Sequence, residues 1–325
     1  MKFFARFAAL WCLIVTASSA AFSQAAPTFP SKPVRLVVPF APGGVADTMA
    51  RLVAAQLGPR LGEPIVVENR TGAGGTLAAT YVARADPDGY VLLLVAAGHA
   101  GSKALYPSVP YDPVASFDAV SGIAAYPVVL LVRPDAPYRN VEGLIEDIRL
   151  KAGKLNNANP GPSTVPGLSA ALFRQRFGLD FASIPYRGSN PALIALMGGE
   201  TEFSFNETGS SVELIRAGKV RALAVLQKDR LAALPQVPSI DESPMSGFYA
   251  SAWLGVLAPR GTPATVVNRL NREIGQILGS QELQERLRIM GGVALGGSPQ
   301  KFAAMLAEET ERWSSAITRL GLKAE

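Results

Sequence analysis

The chain has 325 residues, 48% of them hydrophobic and 18% charged, with 31 basic residues against 26 acidic, one histidine and one cysteine. This composition excludes a disordered or collagen-like chain, and the length allows one large domain or two moderate ones, each with a core. So few His and Cys exclude a zinc ribbon, an iron–sulfur cluster and a disulfide scaffold, and basic residues spread without a dense block argue against a nucleic-acid partner.

At the amino terminus Lys2 and Arg6 precede an apolar run, Phe7 to Val15, and then small residues from Thr16 to Ala26. That order is the order of a secretory signal peptide. We expect a leader over residues 1–26, cleaved after Ala25 or Ala20, with Cys12 lost alongside it. The apolar run is shorter than the roughly 20 residues that span a bilayer. No later run reaches that length, so the expected product is soluble and exported, and periplasmic in a bacterium.

From Pro30 onward, short apolar runs alternate with amphipathic stretches, the rhythm of α/β proteins. Val34 to Val38 reads as a buried strand ended by Pro39, and Gly43-Gly44 opens a helix with Met49, Leu52, Val53, Leu57 and Leu61 on one face. Ile65 to Val67 reads as a strand, Thr76 to Ala85 as a helix, and Val91 to Val95 as a strand covered on both faces. A second αβ unit follows. Its strands are read at Pro127 to Val132, Leu155 to Ala158, Ser183 to Pro185, Phe203 to Phe205 and Arg221 to Val225, and its helices around Leu168 to Phe177 and Pro191 to Met197. The last third reads as strand Ala252 to Leu257 and three helices. Two of these start at Thr262-Pro263 and Ser298-Pro299, each read as a cap followed by proline. Two αβ units and a helical tail predict two lobes joined by crossing strands, with a cleft between them.

Enzyme templates fail one by one. Gly72 to Leu77 begins like a dinucleotide fingerprint but has Leu77 where a small residue is needed. No Gly-x-Ser-x-Gly elbow and no P-loop occur, and a Ser-His-acid triad would have His99 as its only base. Ser298 to Lys301 matches a Ser-x-x-Lys pattern, but an N-cap explains it better.

Gly-rich turns after strands are what remain, the places where open α/β sheets bind ligands. Phe40, Pro42, Gly43 and Gly44 follow the first strand and lead to Asp47. Ala97, Gly98 and His99 follow the third. Pro160, Gly161, Ser163 and Thr164 follow the strand near Leu155, and Tyr186, Arg187 and Gly188 follow Pro185. Such turns offer backbone N–H groups, hydroxyls and helix dipoles suited to an anion. Asp47 either caps its helix or reaches a ligand through water. His99 is either a bonded loop histidine or a ligand contact, and Arg187 either clamps a carboxylate or is solvated.

In this order the turns resemble the Bug-type periplasmic solute-binding receptors of tripartite tricarboxylate transporters. The resemblance runs through Phe29 to Phe40, Pro42 to Gly44 with Asp47, Val66 to Arg70 with Gly72 to Gly75, and Ala85 to Tyr90. It continues at Pro185 to Gly188, Ala217 to Val225, Leu234 to Ser239 and Ala258 to Pro263. It implies a type II-like two-lobed receptor, α/β throughout, that captures a small carboxylic acid and hands it to integral-membrane subunits. It implies no catalysis, no cofactor and no metal, and a monomer. The family's histidine before the helix of Leu168 is replaced here by Gly167, and its aspartate after Phe205 by Asn206, which we place in the ligand wall. We expect lobe I at 27–124 and 251–325 and lobe II at 125–250. The rival readings are a sensing receptor of the same fold and a secreted hydrolase.

Overall fold

The computed structural model describes residues 29–162, 164–186 and 188–321. The expected leader with Cys12, and the candidate residues Ser163 and Arg187, lie outside the described residues.

The first unit is β1 (Val34–Val38), α1 (Val45–Leu61), β2 (Ile65–Asn69), α2 (Thr76–Ala83), β3 (Val91–Ala96) and a short α3 (Ser102–Leu105). A 16-residue strand, β4 (Phe117–Val132), leads to α4 (Val141–Leu150), β5 (Asn156–Asn159), α5 (Val165–Phe177), β6 (Ala182–Pro185) and α6 (Ser189–Gly198). Then come β7 (Phe203–Glu207), α7 (Thr208–Arg216), β8 (Arg221–Val225) and β9 (Ser251–Pro259). The tail holds α8 (Ala264–Leu278), α9 (Gln281–Ile289), β10 (Val293–Ala294) and α10 (Pro299–Leu320). The sheet order is β2-β1-β3-β9-β4-β7-β5-β6, with β8 and β10 also paired to β4. The α/β reading therefore holds.

Strand period 2 explains the layering. Leu92 and Leu94 of β3 pack with Met49, Val53 and Leu57 of α1 and with Leu270 and Ile274 of α8. Leu93 and Val95 point the other way, toward α2 and the α10 residues Phe302, Leu306 and Trp313. On β4, Val128, Leu130 and Val132 share that second layer with α4 and α5, whereas Val129 and Leu131 pack on α6 and α7. A strand covered on both faces reads as an unbroken apolar run.

β4 is the beam between the two halves. Its residues Phe117 to Pro127 pair antiparallel with β9, and Val128 to Val132 pair with β7 and β8. The sequence reading found only the second part of this strand and passed over α4 and α7. For α4 the signal was present: Asn140 accepts from the N–H of Gly143 at 3.0 Å, and Leu144, Ile145 and Ile148 are buried. The expected cap at Thr262 is corrected. Its hydroxyl donates back to the Pro259 carbonyl, and α8 starts after Pro263 without a side-chain cap. Ser298 does cap, accepting from the N–H of Lys301 with Pro299 at the first helical turn.

Candidate ligand-binding cleft

Strand directions place the cleft. β1, β2 and β3 run parallel, and β3 and β4 are each antiparallel to β9, so the carboxyl ends of β1 to β3 point where β4 leaves the first half. In the second half β5, β6 and β7 run parallel, and β7 and β8 oppose β4. Glu207 at the end of β7 pairs with Val128, where β4 enters. The strand ends of the two halves thus face each other, with the loops into helix N-termini between them. There α7 comes close to α1, where a Cβ on Gly209 would lie 3.4 Å from a Val45 methyl, and Thr208 at its start donates to the Gly291 carbonyl at 2.7 Å.

On the first wall the β1–α1 loop is tied down by Asp47. Its Oδ2 accepts from the N–H of Gly43 and from Arg51 Nε, each at 2.9 Å, and its Oδ1 accepts from Asn69 Nδ2 at 2.8 Å. Asn69 also donates to the Phe40 carbonyl at 2.9 Å and accepts from Arg51 Nη2 at 3.0 Å. The Arg51 hydrogen bond outweighs burial and holds the Asp47 carboxyl down at about 2. The capping read from the sequence is corrected: the N-cap of α1 is Gly44, with no side-chain bond, and Asp47 instead anchors the loop before it. Phe40, Pro42, Gly43 and Gly44 are all left exposed. Gly43 has φ +86°, a conformation that favours glycine. Pro39 packs beneath the neighbouring turn Ala73–Gly75, close enough that a Cβ on Gly75 would lie 3.2 Å from its side chain.

Ala97, Gly98 and His99 form a single tight turn after β3. His99 does not reach outward. It is 7% exposed, stacks on Tyr111 at 5.6 Å, meets Phe117 edge-on at 5.2 Å, and pairs Nε2 with the Pro113 carbonyl at 2.9 Å. Burial lowers its pKa to about 4, so the ring is neutral. The ligand contact left open for His99 gives way to packing, because the ring is buried against Tyr111 and Phe117 and its Nε2 is paired with the Pro113 carbonyl.

On the second wall the hub is Asn159. Its Oδ1 accepts from the N–H of Gly161 at 2.9 Å, its Nδ2 donates to Ser183 Oγ at 2.8 Å, and its carbonyl accepts from the N–H of Tyr186 at 2.8 Å. Pro160 is buried and Gly161 turns at φ +131°. Thr164 donates its hydroxyl to the Gly161 carbonyl at 2.8 Å and caps α5 by accepting from Gly167 at 3.2 Å. Gly188, at φ +110°, precedes α6, and Tyr186 reaches Glu200 at 3.4 Å.

Asn206 requires a correction. It is fully buried and its amide is satisfied internally: Nδ2 donates to the Ser189 carbonyl at 3.3 Å, and Oδ1 accepts from the Glu207 N–H at 2.9 Å and from Ser210 Oγ at 3.3 Å. It fastens β7 to α6 and α7, while the next residue, half-buried Glu207, stands at the strand end. The sequence reading missed Asn69, Asn159, Ser189 and Glu207. Asn69, Asn159 and Glu207 each end a strand and Ser189 opens α6, and those positions were the available signal.

Three solved structures share the fold. The periplasmic binding protein BugD is 35% identical, with 91% of this chain and all of BugD covered and a TM-score of 0.81. A Rhodopseudomonas palustris protein, Rpa4515 with adipate, is 34% identical over 91% of this chain and all of its own, TM-score 0.83. MatC from the same organism, with bound malate, is 35% identical over 89% of this chain and all of its own, TM-score 0.80. The family described as the tripartite tricarboxylate transporter family receptor matches residues 49–322. The chain belongs to this receptor family. Both departures noted in its sequence now have a physical account within the receptor fold. A Cβ on Gly167 would lie 2.1 Å from the Gly161 carbonyl oxygen, so only glycine lets the Gly161 loop settle onto the first turn of α5. The other, Asn206, has moved from the wall into the framework behind it.

Proposed function

We propose that this chain is the receptor of a tripartite carboxylate transporter, capturing a small organic carboxylate in the cleft and passing it unchanged to integral-membrane subunits. One observation carries the reading: strand ends and helix N-termini of both halves converge on one cleft, lined by the exposed β1–α1 loop and the Gly161 and Gly188 turns. The adipate and malate held by two relatives support a carboxylate. Export through the leader to the periplasm completes the reading. The contacts assigned to the ligand come from Phe40 to Gly44, Ala97 to Gly98, Pro160 to Thr164 and Tyr186 to Gly188. Lobe I is assigned to 27–124 with 251–325 and lobe II to 125–250.

A thermal-shift screen against mono-, di- and tricarboxylates, followed by calorimetry, tests this. Ligand at 100 times its dissociation constant should stabilise the protein by about 2.7 kcal/mol. The expected stoichiometry is one per chain, with the ligand recovered intact. Scattering should show a smaller radius of gyration with ligand, as the strands crossing between the lobes bend. Failure of every carboxylate to bind, or turnover of the bound compound, would remove the receptor reading.

A further inference from the structure

The second wall carries an acidic group that the receptor reading leaves without a task. Glu207 ends β7 at the point where β4 crosses between the halves, and the backbone immediately after it starts α7. Its Oε2 accepts from Ser189 Oγ at 2.6 Å, and Ser189 is the first residue of α6. The carboxylate therefore stands where α6 and α7 both begin, two residues before Gly209, at which α7 comes close to Val45 of α1. It is half-buried: enclosed by the lobe yet in contact with solvent, as at the floor of a cleft.

Resting on the receptor reading, we infer that Glu207 is the specificity-determining residue of the second wall: it selects a carboxylate whose far end bears a hydrogen-bond donor, hydroxyl or ammonium, over one ending in a second ionised carboxylate. An ionised glutamate only accepts hydrogen bonds. A donor arriving at Glu207 makes a charge-assisted bond, whereas a second carboxylate meets like charge in a partly desolvated site. Burial already pushes the Glu207 carboxyl above its ordinary value, with the Ser189 hydrogen bond compensating only in part. A ligand donor relieves that destabilised charge and a ligand anion aggravates it. This reverses what a neutral amide at the wall would do, and the reversal follows from burying Asn206 and leaving its neighbour at the strand end.

The test compares acids of equal length. Adipate, 6-hydroxyhexanoate and 6-aminohexanoate form one set, and succinate, 4-hydroxybutyrate and 4-aminobutyrate a shorter one, measured by calorimetry on the full-length mature protein. The wild type should bind the donor-ended acids at least tenfold more tightly than the diacid of the same length. The hydroxy and amino arms show which donor is preferred. Glu207→Gln keeps the shape and can donate as well as accept, so the ratio should fall to near one or invert. Ser189→Ala leaves the carboxylate in place and should retain the preference. A wild type that binds the diacid as tightly as its analogues overturns the inference even if Glu207→Gln folds poorly. So does an unchanged ratio in Glu207→Gln, and in both cases the receptor reading stands. If no carboxylate binds either protein, the receptor reading has failed and this one goes with it.

Discussion

On the first wall of the cleft the hub is a charge, Asp47, held by Gly43, Asn69 and Arg51; on the second it is a neutral amide, Asn159, held by Gly161 and Ser183. Both hubs sit behind a Gly-rich loop and fix its conformation, so the solution is the same in geometry and different in electrostatics. The charged hub makes stronger bonds but depends on pH. The neutral hub makes weaker bonds that do not titrate. A receptor whose loops must present backbone N–H groups needs each loop rigid before the ligand arrives, because ordering it during binding would weaken affinity.

The largest effect should come from Asp47→Ala. It removes three hydrogen bonds to a buried carboxylate and releases the Phe40–Gly44 loop, for an expected loss of about 3 kcal/mol. Denaturant melts read the stability, and calorimetry should show weaker carboxylate binding even where the variant is folded. A loss below about 1 kcal/mol would mean that the charged hub is not what holds the first wall.

Acid should strike the first half next. The neutral His99 has a folded pKa of about 4, below its unfolded value of about 6.5. The unfolded chain thus takes up a proton that the folded chain refuses, so stability is complete above pH 6.5 and falls as pH drops toward 4. The expected loss is about 2–3 kcal/mol across that window. Asp47 works by the complementary rule. Its folded pKa of about 2 keeps its contribution intact above about 4 and removes it as pH falls toward 2. Melts from pH 8 to pH 4 on His99→Phe should lack the first decline, and an identical decline in that variant would assign it to another group.

Asn159→Ala is the matching cut on the second wall. It strands the N–H of Gly161 and one bond to Ser183, and should cost about 2 kcal/mol with no dependence on pH between 4 and 8. A pH-dependent cost would show that the neutral hub is coupled to a charge, such as that of Glu207, and would erase the contrast between the walls.

Much of the fold was legible in the sequence because its central strands, such as β3 and β9, are buried along nearly their whole length and bounded by turn residues. β3 and the tail helices are the clearest cases. The first part of β4, Phe117 to Tyr126, escaped because its partner β9 lies more than 120 residues away and its residues, Ser121 and Gly122 among them, break the apolar run. The site was legible as loops and not as side chains. The glycines marked where the chain turns, but which neighbour of a turn faces inward depends on register. A one-residue difference separates Asn206, sealed in the framework, from Glu207 at the strand end. His99 misled for a related reason: a lone histidine on a turn carries no sign of the aromatic pair, Tyr111 and Phe117, that the fold brings over it.

The smallest effect is expected between the two walls, at Tyr126. This residue lies on β4 two positions before Val128, where the strand changes partners, and it is 2% exposed. Its ring is flanked by glycines from both halves: a Cβ on Gly209 would lie 3.0 Å from it, and one on Gly292 2.6 Å. The hydroxyl is buried with no hydrogen-bond partner, and burial pushes its pKa up. Tyr126→Phe keeps the packed ring and deletes a desolvated polar atom, so stability should stay within about 1 kcal/mol of wild type or rise. Gly292→Ala is the steric control and should cost about 1–3 kcal/mol, since its methyl would overlap the ring. If Tyr126→Phe instead loses more than about 2 kcal/mol, the hydroxyl is bonded in solution. If stability holds but carboxylate affinity changes, the hydroxyl finds its partner only when the walls move together. The crossing point would then belong to the binding equilibrium as much as either hub does.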